Sequence, residues 1–166
     1  MIPLTAATMS QTNARPSANL WLASLYGGVI TALLAALFVT FFKMENPPLY
    51  IIGYLLTGIG PVLGYALAAG RLGSSVKGII GGLIGSIVPV VSILLWPILV
   101  GALDSTQSVG KLIIGSIIGA ILGAIVMLLV ANAMGQDPSW LGLGIVLLLA
   151  VWGGSCSAAM AAWAKG

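Results

Sequence analysis

The chain has no histidine, one cysteine and very few charges. Without histidine it lacks the commonest metal ligand, the usual haem ligand and the usual general base. A single cysteine, Cys156, forms no intrachain disulfide and no cysteine-based metal or redox pair. Charged residues make up 5% of the 166, where soluble domains carry about 25%. Too little polar surface is left to face water, so lipid is the expected solvent. The net charge of +3 comes from six cations scattered singly between apolar runs. That is a pattern for flanking a membrane, and it excludes a nucleic-acid surface. No GxxxxGK[ST] phosphate loop occurs, and Ser155 and Ser157 have no histidine to activate them. Glu45, Asp104 and Asp137 fall in three separate loops and suggest no carboxylate pair. No catalytic, cofactor-binding or metal-ligating residue is therefore expected. A bound lipid or apolar pigment stays open, because apolar grooves leave no mark in sequence.

What is present is hydrophobic: 60% of residues, with mean hydropathy +1.17. A spanning helix needs about 20 apolar residues. The expected fold is an all-α integral membrane protein, a bundle of about five transmembrane helices packed through glycines. A polar segment, 1–18, precedes a single helical domain, 19–164, with spans over 19–42, 49–70, 78–103, 109–134 and 139–164. Pro16 and Ser17 suit a helix start, and Asp137 with Pro138 suits another. Pro61 sits inside the second span and predicts a kink. Pro89 and Pro97 make the third span the least regular.

The third and fourth spans resemble each other. KGIIGGLIGSI from Lys77 and KLIIGSIIGAI from Lys111 align the set Gly81, Gly85 and Pro89 with Gly115, Gly119 and Gly123. Small side chains at such spacing let helix backbones approach. The expectation is that these two spans meet through Gly81, Gly85, Gly115, Gly119 and Gly123, with Gly60 and Gly64 forming a further packing stripe. An inverted repeat of one helix each is short for a transporter, so convergence on a packing stripe is favoured. Gly27 and Ala35 on the first span, and Gly153 and Ala161 on the last, read as small-residue faces left over for a partner helix.

Trp21, Trp96, Trp140 and Trp163 read as interfacial anchors. Trp140 and Trp163 are separated by about 34 Å along a helix, a belt pair. Five spans put the termini on opposite sides. Arg15, Arg71 and Lys77 then face Lys43, Lys111 and Lys165, a tie that leaves orientation unsettled.

With no ionisable residue inside a span, the first functional expectation is a non-catalytic structural or accessory subunit of a larger membrane complex, energy-transducing (respiratory or photosynthetic) complexes among the candidates. Its partners would be membrane lipid and other membrane subunits, with no nucleic acid, in a bacterial or archaeal inner membrane. The alternative is a small homo-oligomeric channel or transporter, whose polar lining would come from Thr57, Ser86, Ser92 and backbone carbonyls.

Overall fold

The computed structural model describes residues 18–44, 47–135 and 139–164. The polar segment before Ala18, the helix starts expected at Pro16–Ser17 and Asp137–Pro138, and Arg15 and Lys165 lie outside the described residues. Seven α-helices follow in order: α1 Leu20–Lys43, α2 Pro47–Thr57, α3 Gly60–Ala68, α4 Val76–Gly85, α5 Ser92–Leu103, α6 Val109–Met134 and α7 Trp140–Trp163. Four units are long and apolar enough to cross a membrane: α1, α2 with α3 taken as 47–68, α6 and α7.

Local chemistry explains most boundaries. The Asn19 side chain accepts hydrogen bonds from the backbone N–H groups of Trp21 and Leu22 and so caps α1. Lys43 in the last turn complements the helix dipole. Pro61 has no N–H to offer Thr57 one turn back, and the helix parts at Gly58–Ile59. Gly70, at φ +62°, ends α3. The N–H of Arg71 bonds to Ala66 and that of Gly70 to Leu67, the paired bonds of a glycine-terminated helix.

The third expected span is the main correction. Residues 78–103 are not one helix. α4 stops at Gly85, the chain reverses over Ser86–Val91, and α5 returns beside it. Gly81 lies against Leu99 and Val100, and Gly85 lies against Trp96, so the two legs run antiparallel. Ten and twelve residues make legs of about 15 and 18 Å. That is roughly half of a ~30 Å hydrocarbon core. The cause is local: Pro89 stands where the aligned segment has Gly123, and Val90 adopts φ +69°, a left-handed conformation costly for a β-branched residue. The aligned fourth span is an unbroken helix of 26 residues. The likeness between the two stretches is therefore one of sequence alone.

Two further expectations change with it. Gly81 and Gly85 face α5 inside the hairpin, while Gly115, Gly119 and Gly123 face Ala159, Ser155 and Leu148 of α7. The two glycine sets do not meet, because α5 stands between α4 and α6. The termini also fall together. Gly28 lies against Ala150 and Gly142 against Val39, so α1 and α7 are antiparallel, and Leu20 and Trp163 line one groove. Both ends of the described chain are at one end of the bundle, not at opposite ends.

The core runs from Val62 and Tyr65 on α3 through Trp96 and Val100 on α5 to Leu112, Trp152, Cys156 and Met160. A second tight region lies where α1, α3 and α7 cross. Thr31 fits between Gly60 and Gly153, and Ser157 fits between Gly27 and Gly64.

Candidate functional site at the hairpin tip

The hairpin tip and the break between α2 and α3 lie at the same level. A side chain at Gly58 would collide with Ser86 and with the carbonyl of Gly82. The Trp96 indole N–H donates to the Gly58 carbonyl at 2.8 Å, tying the returning leg to the break. Trp96 is fully buried. It does not anchor an interface; the hairpin has folded it back to the centre of the bundle. Its ring meets Trp152 edge to face, with centroids 5.5 Å apart. The Trp152 indole N–H donates to Ser116 Oγ at 2.9 Å, and Ser116 donates to the Ile93 carbonyl at 2.7 Å. One chain of side chains thus braces the hairpin against α6 and α7.

Beside this brace is a cavity of about 190 Å³. Tyr54 and Thr57 from the last turns of α2 line it, with Ser86, Val90, Ser92 and Ile93 from the tip. Ala120 of α6 and Leu148, Leu149 and Trp152 of α7 close it. Four hydroxyl groups converge on an otherwise apolar chamber. Tyr54 Oη and Ser92 Oγ are 3.1 Å apart and share a hydrogen bond. Thr57 Oγ1 donates to the Tyr54 carbonyl at 2.6 Å, and Ser86 Oγ donates to the Gly82 carbonyl at 3.0 Å. Next to it an apolar groove of about 290 Å³ runs along Phe38, Phe42, Tyr50, Ile51 and Leu55 to Ile87 and Pro89 of the tip. Tyr54 lines both spaces.

The residues singled out in sequence divide between three places. Thr57, Ser86 and Ser92 come together in the cavity. Gly60, Gly64, Gly27 and Gly153 meet at the crossing of α1, α3 and α7, and Ala35 is fully buried on the same face of α1. Ala161 packs partly buried against the core. Gly27, Ala35, Gly153 and Ala161 are thus occupied by the chain's own helices, so no spare face remains at those positions. The reason is that a stripe on α1 and a stripe on α7 satisfy each other. Trp21 is 81% exposed, while Trp140 and Trp163 are part-exposed near the ends of α7.

Tyr54, Ser116, Trp96 and Trp152 were not legible as site residues. Tyr54 and Trp96 read as ordinary apolar-helix aromatics, and nothing local shows that the chain folds back to pair them with Ser92 and Gly58. Ser116 carries a faint signal, being the one hydroxyl within the Gly115–Gly119 stripe.

Compared with known proteins, the chain matches no family model, no curated protein and no solved structure. The functional argument therefore rests on the geometry.

Proposed function

We propose that the protein is a small membrane channel or carrier whose solute site is the hydroxyl-lined cavity at the hairpin tip. One observation carries the reading: a half-length helical hairpin meets an interrupted helix beside a chamber that holds four hydroxyls. Irregular backbone at membrane depth is tolerated only where it is buried in protein or lines a cavity. Binding sites of transport proteins use discontinuous helices in this way, near the midplane. On this reading α1, α2–α3, α6 and α7 cross the bilayer, α4–α5 enters and leaves on one side, and the tight glycine contacts hold the helices together. No catalytic step is assigned to the site.

The same arrangement orients the chain. Arg71, Lys77 and Lys111 fall at the end where the hairpin opens, and by adjacency in sequence Arg15 and Lys165 join them. Lys43 alone is at the other end. The three-to-three tie of a five-span chain becomes five to one, which places the termini and the hairpin mouth on the cytoplasmic side. An inner membrane of a bacterium or archaeon is the proposed setting, since bacterial outer membranes house barrels.

An accessory-subunit role is the second reading. It keeps one observation in its favour, an outward groove between α1 and α7 lined by Ser24, Gly28, Ala150 and Gly154, narrow enough for a partner helix.

Cysteine accessibility in sealed vesicles separates the readings. In a Cys156→Ser background, cysteines placed at Ser10 and Gly166 are expected to label from the same face. A cysteine at Ser92 is expected to react with a small polar thiol reagent applied to one face. An unreactive Ser92→Cys, with recovery of the protein in a hetero-complex from mild detergent, would replace this proposal by the second.

A further inference from the structure

Resting on the channel-or-carrier reading, we infer that the cavity accepts a neutral amphiphile drawn from the membrane. Its hydrogen-bond-donating head would sit against Thr57 and Ser86, and its apolar body would extend past Tyr54 into the aromatic groove.

The argument begins with hydrogens. A Ser or Thr hydroxyl has one hydrogen and two lone pairs, and an indole N–H is a donor only. Thr57 and Ser86 are each 2% exposed and direct their hydrogens to backbone carbonyls. Ser116 does the same, and the indole N–H groups of Trp96 and Trp152 are engaged within the brace. Tyr54 and Ser92 have two hydrogens between them and use one on each other. The wall is therefore rich in acceptors and holds at most one free donor. A ligand that donates hydrogen bonds completes it. An anion finds neither donors nor a cation there.

Charge of the other sign is also disfavoured. The hydroxyls occupy one side of the chamber, and Val90, Ile93, Ala120, Leu148 and Leu149 form the rest. A dehydrated cation would gain part of a coordination shell and no compensating carboxylate, and burying an unpaired charge is costly. A neutral ligand with a polar edge and an apolar body matches both halves of the wall. Size agrees, because an apolar cavity of about 150 Å³ already admits benzene, and this one is about 190 Å³. The groove supplies the path for a longer body. Tyr54 belongs to both spaces, and Val90 of the cavity adjoins Pro89 of the groove. At its far end the groove reaches Phe42, in the last turn of α1. A long-chain alcohol has this chemistry.

The test uses the full chain in lipid nanodiscs and three brominated probes of equal length: 10-bromodecan-1-ol, 1-bromodecane and 10-bromodecanoate. Bromine quenches tryptophan at short range, and Trp152 lines the cavity. The alcohol is expected to quench to saturation, and Trp152→Phe is expected to remove that saturable part. The alkane and the carboxylate are expected to show only the unsaturable quenching of partition into lipid. Ser86→Ala, a small change at a buried site, is expected to raise half-saturation about three- to tenfold, the worth of one neutral hydrogen bond. Ile51→Phe, which narrows the groove, is expected to weaken 10-bromodecan-1-ol and to spare 3-bromopropan-1-ol. Equal saturation by all three probes, saturation by none, or stabilisation by sodium or potassium ions alone would overturn the inference. A reactive Ser92→Cys with no saturable alcohol would discard the amphiphile and leave the solute site standing. Saturable alcohol with an unreactive Ser92→Cys would do the reverse.

Discussion

The crossing of α1, α3 and α7 and the tip of the α4–α5 hairpin are built on opposite plans. At the crossing, glycines stand wherever another backbone passes, and the two hydroxyls, Thr31 and Ser157, are enclosed between them. Thr31 turns its hydrogen back to the Gly27 carbonyl of its own helix. At the tip, prolines and a left-handed valine break the helices, and hydroxyls face a space. Lipid offers no hydrophobic drive to bring helices together, so close packing must do so. A region without side-chain bulk can pack in this way. A region with broken helices cannot close completely, and the volume it leaves is where a solute fits.

The sharpest way to break this contrast is to add bulk at the crossing. The first carbon of a side chain at Gly64 would fall on the backbone of Gly27. Gly64→Leu is expected to cost about 3 kcal/mol or more, at the upper end of overpacking penalties, read as a loss of thermal stability in detergent by circular dichroism. A fall of less than half that size would mean that the crossing is loose.

Removing the brace tests the tip. Trp96→Phe keeps an aromatic ring against Trp152 but withdraws the N–H from the Gly58 carbonyl. Leaving a buried acceptor unpaired is expected to cost about 1–3 kcal/mol, less than Gly64→Leu in the same melt. Tip and crossing also differ in sign. At Val90 a glycine would relieve the left-handed backbone, so Val90→Gly is expected to stabilise by about 1 kcal/mol, whereas glycine in place of Thr31 would only remove packing. A destabilised Val90→Gly would show that the valine side chain, and not backbone strain, governs the turn. The smallest effect is reserved for a lipid-facing reference. Ile118 is 48% exposed, and Ile118→Leu is expected to stay within about 0.5 kcal/mol of the wild type. Gly119→Leu, one residue on, would drive into Ser155 and Trp152 and should fall near Gly64→Leu.

By itself the sequence determined that this is a helical chain for an apolar solvent. Scarcity of charge and the lengths of the apolar runs are additive properties, and no tertiary contact alters them. It also located the helix breakers and the hydroxyls Thr57, Ser86 and Ser92, because proline chemistry and side-chain type act locally. Tertiary structure decided the rest. Whether 78–103 would cross the bilayer or turn back depended on a single turn at Pro89–Val90, stabilised by contacts such as Gly85 against Trp96 and Trp96 against Gly58. Periodicity reports that a helix has a small face but not which neighbour meets it. So Gly81 and Gly85 found α5 in place of α6, and the stripes of Gly27 and Gly153 found each other in place of a partner. The fold-back then set everything downstream: the side on which the chain ends, the segregation of positive charge, and the meeting of four hydroxyls from two elements in one cavity. Such outcomes belong to pairs of segments distant in sequence, and only their packing together selects among them.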